Sequence, residues 1–145
     1  MSENDSGNRI VEGKSGGIFE GHLVSHKANG FGCCTWPNGD KYIGEWKNDE
    51  KEGKGCYIWG DGAYYIGDYK LNLPSGKGEY RYSNGDKFCG THKKDSKEGY
   101  GEYTYKNGDI FKGYYKKGKQ NGEGVFILKD GKHEEQIWND GKRLK

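Results

Sequence analysis

Aliphatic side chains are scarce in this chain. Leu, Ile, Val and Phe together number 21 of 145 residues, too few for the thick core of a layered globular domain. Proline is scarcer still, with two residues, so the 27 glycines cannot belong to a collagen-like Gly-X-Y register. Charge of one sign is also lacking. The 24 basic residues nearly cancel 22 acidic ones, which excludes the strong net charge of a disordered chain and the basic excess of a nucleic-acid binder. No apolar run approaches the roughly 20 residues of a membrane-spanning helix. Met1-Ser2-Glu3-Asn4-Asp5 lacks the basic-then-apolar pattern of a secretory leader. Ser2 stands where myristoylation needs glycine, and Lys142-Arg143-Leu144-Lys145 offers no cysteine for prenylation. The expectation is a soluble cytoplasmic chain built on one architecture.

What is present is periodic. Gly-X-Gly pairs open at Gly30, Gly53, Gly76, Gly99 and Gly122, each 23 residues after the last, and the same step reaches back to Gly7. A second glycine column recurs at Gly16, Gly39, Gly62, Gly85, Gly108 and Gly131, and a third at Gly21, Gly44, Gly67, Gly90 and Gly113. Aromatic residues form columns of one parity: Trp36, then Tyr57 with Trp59, Tyr80 with Tyr82 and Tyr103 with Tyr105; Phe19, Tyr42, Tyr65, Phe88 and Phe111; Trp46, Tyr69, His92, Tyr115 and Trp138. That is strand alternation, and Asn38-Gly39, Asp61-Gly62, Asn84-Gly85, Asn107-Gly108 and Asp130-Gly131 supply the turns. A two-residue loop would put the aromatic columns on opposite faces. A three-residue loop such as Pro37-Asn38-Gly39, with Gly left-handed, keeps them together and sets Gly32 opposite Gly44. The reading is all-β: a single-layer, twisted, open-ended antiparallel ribbon of six stacked hairpins beginning near residues 7, 30, 53, 76, 99 and 122. Residues 1–6 are expected to be a disordered N-terminal tail, with the repeat domain over 7–145 and twelve strands in all.

The stretch Gly39-Asp40-Lys41-Tyr42-Ile43-Gly44-Glu45-Trp46-Lys47-Asn48, followed by Glu52-Gly53-Lys54-Gly55, resembles a unit of the MORN repeat family. The resemblance is clear over residues 30 to 121 and weaker outside them. Arg9 replaces a glycine in the first unit and Glu134-Glu135-Gln136 replaces aromatic-X-glycine in the last, so both end units are degenerate caps, as an open stack requires.

Four cysteines invite a metal or disulfide. Cys33 and Cys56 are equivalent in successive hairpins, about 10 Å apart, beyond the roughly 7 Å a disulfide tolerates, and Cys34 points to the other face. Reduced thiols, no metal and no cofactor are expected. The four histidines are dispersed, and His92 alone falls in an aromatic column. No Ser, Cys or Thr sits in a nucleophile turn, and Asp61, Asp86 and Asp109 read as turn or solvent residues, so no enzyme is expected. Gly13-Lys14-Ser15 looks like the end of a phosphate loop but lacks the first glycine and the following helix.

A one-layer ribbon has nothing to cover its aromatic face. The expected site is a partner-binding groove of Trp36, Tyr42, Trp46, Trp59, Tyr65, Tyr69, Tyr82, Phe88, Tyr105, Phe111 and Tyr115. The protein reads as a scaffold or adaptor, and the family resemblance implies an amphipathic helix as ligand within a cytoskeletal or membrane-associated assembly. The alternative is a peripheral module binding anionic phospholipid through Lys47, Lys70, Lys93 and Lys116, which recur about 10 Å apart. The resemblance also admits repeats serving an enzyme in another chain. No nucleic acid is expected, while open strand edges leave room for a homodimer.

Overall fold

The structure, a computed structural model, describes residues 6–13 and 15–145; of the tail expected over residues 1–6 only Ser6 is among them, and Lys14 lies outside them. The chain divides into two compact units, Met1–Leu73 and Pro74–Lys145. Every regular element among the described residues is a strand. The first unit carries β1 (Gly7–Glu12), β2 (Ile18–Val24), β3 (Lys27–Thr35), β4 (Lys41–Lys47), β5 (Glu50–Ile58) and β6 (Tyr64–Lys70). The second carries β7 (Leu73–Arg81) from Pro74 onward, β8 (Lys87–Lys93), β9 (Ser96–Thr104), β10 (Ile110–Lys116), β11 (Lys119–Ile127), β12 (His133–Asn139) and β13 (Lys142–Arg143). Within each unit, strands adjacent in sequence pair antiparallel. The thirteenth strand was not anticipated: Asp140-Gly141 makes a further tight turn, with φ of 50° and 83°, that folds Lys142–Arg143 back along β12.

Two turn types alternate. Across β3 and β4 the Trp36 N–H donates to Asp40 O at 2.9 Å and the Gly39 N–H to Trp36 O at 3.0 Å, enclosing Pro37-Asn38-Gly39 with Gly39 at φ 94°. This is the expected three-residue loop. Between hairpins the chain reverses in two residues, both left-handed, as at Asn48 and Asp49 with φ of 48° and 69°. Such a turn follows the strand twist but strains any residue with a side chain. Neighbouring side chains hold it: the Asp49 carboxylate accepts from the Ala28 N–H at 2.7 Å, and Glu52 accepts from the Leu71 N–H at 3.0 Å.

The register explains the glycines. Gly21, Gly32, Gly44, Gly55 and Gly67 lie side by side across the first unit's strands. Gly78, Gly90, Gly101, Gly113 and Gly124 do the same in the second, where Gln136 ends the row. Each row is a trough without side chains in which rings lie flat. A Cβ on Gly55 would fall inside the Tyr42 ring, and one on Gly124 inside that of Phe111.

Asp86 and Asp109, read from sequence as turn or solvent residues, have a structural task. The Asp86 carboxylate accepts from the Tyr103 hydroxyl at 2.7 Å and the Lys106 N–H at 2.8 Å; Asp109 accepts from the Lys129 N–H at 3.0 Å. Asp40 does likewise with Tyr57 and Gly60, at 2.7 and 2.9 Å. Each pins its hairpin to the loop of the next. Asp61 remains local, accepting from the Ala63 N–H at 3.0 Å.

Candidate functional site: the aromatic face

Cross-strand pairing sets Cys34, Tyr42, Tyr57 and Tyr65 in one row of the first unit, and Tyr80, Phe88, Tyr103, Phe111 and Phe126 in one row of the second. The aromatic columns therefore share a face. In the first unit Phe19, Trp46, Tyr42, Tyr69 and Tyr65 form an unbroken zigzag of edge-to-face contacts with centroids 5.0–5.4 Å apart. In the second, His92, Phe88, Tyr115, Phe111 and Trp138 continue the pattern at 5.2–6.1 Å. Each contact contributes about 0.5–1.5 kcal/mol beyond area burial, so the rings replace the missing aliphatic core.

This packing divides the expected groove residues into floor and rim. Tyr42, Tyr65, Phe88 and Phe111 retain at most 1% of their surface, and Tyr69 and Tyr115 at most 8%. They are core, sealed over the glycine trough, and a partner cannot reach most of their atoms. The rim is Trp36, Trp46, Trp59, Tyr82 and Tyr105, all half-buried. Tyr57, Tyr80, Tyr103 and Phe126 belong with it: Trp36 stacks on Tyr57 at 5.7 Å, Tyr82 on Tyr103 at 5.9 Å, and Tyr105 leans on Phe126 at 5.8 Å. Two floor hydroxyls are tied to backbone, Tyr42 donating to Glu45 O and Tyr65 to Asp68 O, both at 3.0 Å. Burial drives the Tyr42, Tyr57, Tyr103 and Tyr115 hydroxyl pKa values well above the ordinary phenol range.

Sequence reasoning placed no lysine on this face. Lys51 pairs with Trp46 in the register, and its ammonium lies 5.5–5.9 Å from the centroids of Trp36, Tyr42, Trp46 and Tyr57. Lys97 repeats the arrangement 46 residues on, 5.7 Å from Tyr82 and 5.0 Å from Phe88. Burial lowers the Lys51 pKa, opposed by the nearby Cys34 thiol. The signal was available: Lys51 and Lys97 occupy one repeat column, but their facing depends on the two-residue turn before them, which the sequence reading did not resolve. That column reads Ala28, Lys51, Pro74, Lys97, Gln120 and Arg143.

Two hollows open on this face of the second unit. One, of about 600 Å³, is floored by Tyr105, Phe126, Leu128 and Trp138 and edged by Lys132, His133, Glu134 and Arg143. The other, of about 320 Å³, lies between Tyr103, Tyr105 and Tyr115 with Lys97 and Lys119 beside it. Gln120 lines both. The buried Gln136, where earlier units have glycine, accepts from Trp138 Nε1 at 2.9 Å.

The remaining residues singled out in the sequence lie elsewhere. Lys47, Lys70, Lys93 and Lys116 are exposed at the ends of β4, β6, β8 and β10, next to the two-residue turns. Cys34 is buried on the aromatic face; Cys33 and Cys56 both neighbour Ile43 on the other, and all four cysteines are free thiols.

Fold and face together define a stacked β-hairpin repeat protein with a ring-lined surface. The MORN repeat profile matches residues 19–41, 42–64, 65–87, 88–110 and 111–133, and the chain belongs to the MORN repeat family. No curated protein sequence matches it. Among solved structures it is similar to the TCP domain of SAS-4 (dCPAP) from Drosophila melanogaster, determined in complex with a proline-rich motif of Ana2 (dSTIL), with a TM-score of 0.56, 14% identity, and coverage of 88% of this chain and 70% of that one.

Proposed function

We propose that this chain is a non-enzymatic scaffold or adaptor that holds a segment of a partner protein against its aromatic face, in a cytoplasmic assembly tied to the cytoskeleton or a membrane. The supporting observation is the division of rings into a sealed floor and a half-exposed rim that no element among the described residues overlies. Rings in that position offer apolar area at low entropic cost, which suits either a helical stripe or an extended proline-rich segment. The similar TCP domain takes a proline-rich motif, and that precedent adds the extended form to the helix implied by the family. Site-specific photocrosslinking from living cells tests the reading. A crosslinker at Tyr82 on the rim should trap a defined partner, whereas one at the exposed Tyr114 on the opposite face should not; equal yields from both faces would refute it.

A second reading keeps the lysine row as an anionic-phospholipid surface, because Lys47, Lys70, Lys93 and Lys116 are all solvated and each ammonium near a membrane adds about 1 kcal/mol. Flotation with phosphatidylserine vesicles, lost at high salt and on replacing all four lysines by Gln, would support it. Binding unchanged by the quadruple variant would remove it.

A further inference from the structure

The two hollows of the second unit are apolar below and cationic at the edge. Lys97, Lys119, Lys132 and Arg143 line them, against the single carboxylate of Glu134. That carboxylate is hydrogen-bonded to the Arg143 guanidinium, so it is already engaged. Lys119 lies 3.8 Å from Asp140, a loose contact between two exposed groups. Lys97 and Lys132 pair with no carboxylate among the described residues. Lys97 is the more telling of the two. It is half-buried, with its ammonium 5.7 Å from the Tyr82 and 5.0 Å from the Phe88 ring centroid, and ring faces attract an ammonium less strongly than a carboxylate does. A ligand bringing a carboxylate to that spot would supply the missing counter-charge beside the rings.

The hairpin pattern adds a positional argument. Lys51 shows what this face does with a cation of its own: the ammonium closes over four rings and occupies the space between them. At Gln120 the column lacks that cation and the space is hollow instead. A basic ligand side chain would meet Lys97, Lys119 and Lys132 there. An acidic one meets complementary charge, and its apolar neighbours meet Tyr105, Phe126 and Trp138.

We infer that the aromatic face of residues 74–145 recognises an acidic, apolar-rich segment of a partner protein, its side chains filling the hollows beside Gln120 and its carboxylates meeting Lys97 and Lys132. This rests on the scaffold reading above and specifies the chemistry of the partner.

The test is selection of a random-peptide display library on the full chain, followed by binding of synthetic copies of the recovered peptides. Groove-dependent clones are those that lose binding to Phe126→Asp or to Gln120→Trp, each variant first shown to retain the β-sheet circular dichroism of the parent. These clones should be rich in Asp and Glu beside aromatic or aliphatic residues. Their affinity should fall at least about tenfold with Lys97→Glu and with Lys132→Glu, and fall again at high salt. Groove-dependent clones that are neutral or basic, or that ignore both charge reversals, would overturn the acidic assignment and leave the scaffold reading standing. If no clone depends on the groove, both readings fall. Phosphatidylserine vesicles that bind through Lys97 and Lys132, with no acidic peptide recovered, would reassign the surface to a membrane and equally overturn the proposal.

Discussion

At the scale of single residues, glycine does two separable jobs here. Gly55 sits under the Tyr42 ring, so Gly55→Ala drives a methyl group into a fully buried side chain and should destabilise by about 3 kcal/mol, the upper end for an overpacked core. Gly62 has φ 95° and open space around it, so Gly62→Ala meets only backbone strain, about 1–2 kcal/mol. Urea denaturation of the two variants distinguishes steric from conformational need. Lys51 balances opposing effects. Ring contacts favour its ammonium by about 0.5–2 kcal/mol, while burial disfavours the charge and lowers its pKa. Lys51→Met keeps the apolar stem and discards both effects, so its stability should stay within about 1 kcal/mol of the parent.

At the scale of the hairpin, the aspartates that clasp successive loops set the acid limit. The Tyr103 hydroxyl, with the Lys106 N–H, holds the Asp86 carboxyl below its ordinary pKa, and Tyr57 with Gly60 does the same for Asp40. A carboxyl with a depressed folded pKa stabilises above its unfolded pKa of about 3.9, and that contribution disappears as pH falls through the folded value. Asp86→Asn should therefore lower the melting temperature at neutral pH and flatten its decline between about pH 5 and 2. A parallel decline in parent and variant would contradict this. Much at this scale was legible in the sequence. Asn-Gly and Asp-Gly pairs marked the three-residue loops, and the Gly32–Gly44 pairing followed from them. The two-residue turns were less readable, because Leu71 and Lys94 have no preference for the left-handed region that Asn72 and Asp95 tolerate, and the Asn72 and Asp95 N–H groups secure the turns by donating to Lys51 O and Pro74 O. With those turns unresolved, the facing of Lys51 and Lys97 was hidden. The depth of each ring was hidden too, since alternation gives a side chain's face and not its cover.

At the scale of the whole molecule, a core made of tyrosine responds to base. Tyr42, Tyr57, Tyr103, Tyr105 and Tyr115 all have hydroxyl pKa values raised by burial. The folded chain thus keeps protons that the unfolded chain releases near pH 10, and stability falls as pH rises through about 10. Tyrosinate absorbance and loss of sheet circular dichroism should appear together in an alkaline titration. Smooth ionisation of every tyrosine with the sheet intact would contradict the burial. The face made by those rings also bears on how a ligand finds its place. Identical repeats would let a bound strand or helix slide by one unit and dock equally well at each step. Pro74, Lys97, Gln120 and Arg143 stand at one position of successive hairpins and differ in size and charge, so under the scaffold reading proposed above each step along the second unit would present a different address to a visiting segment.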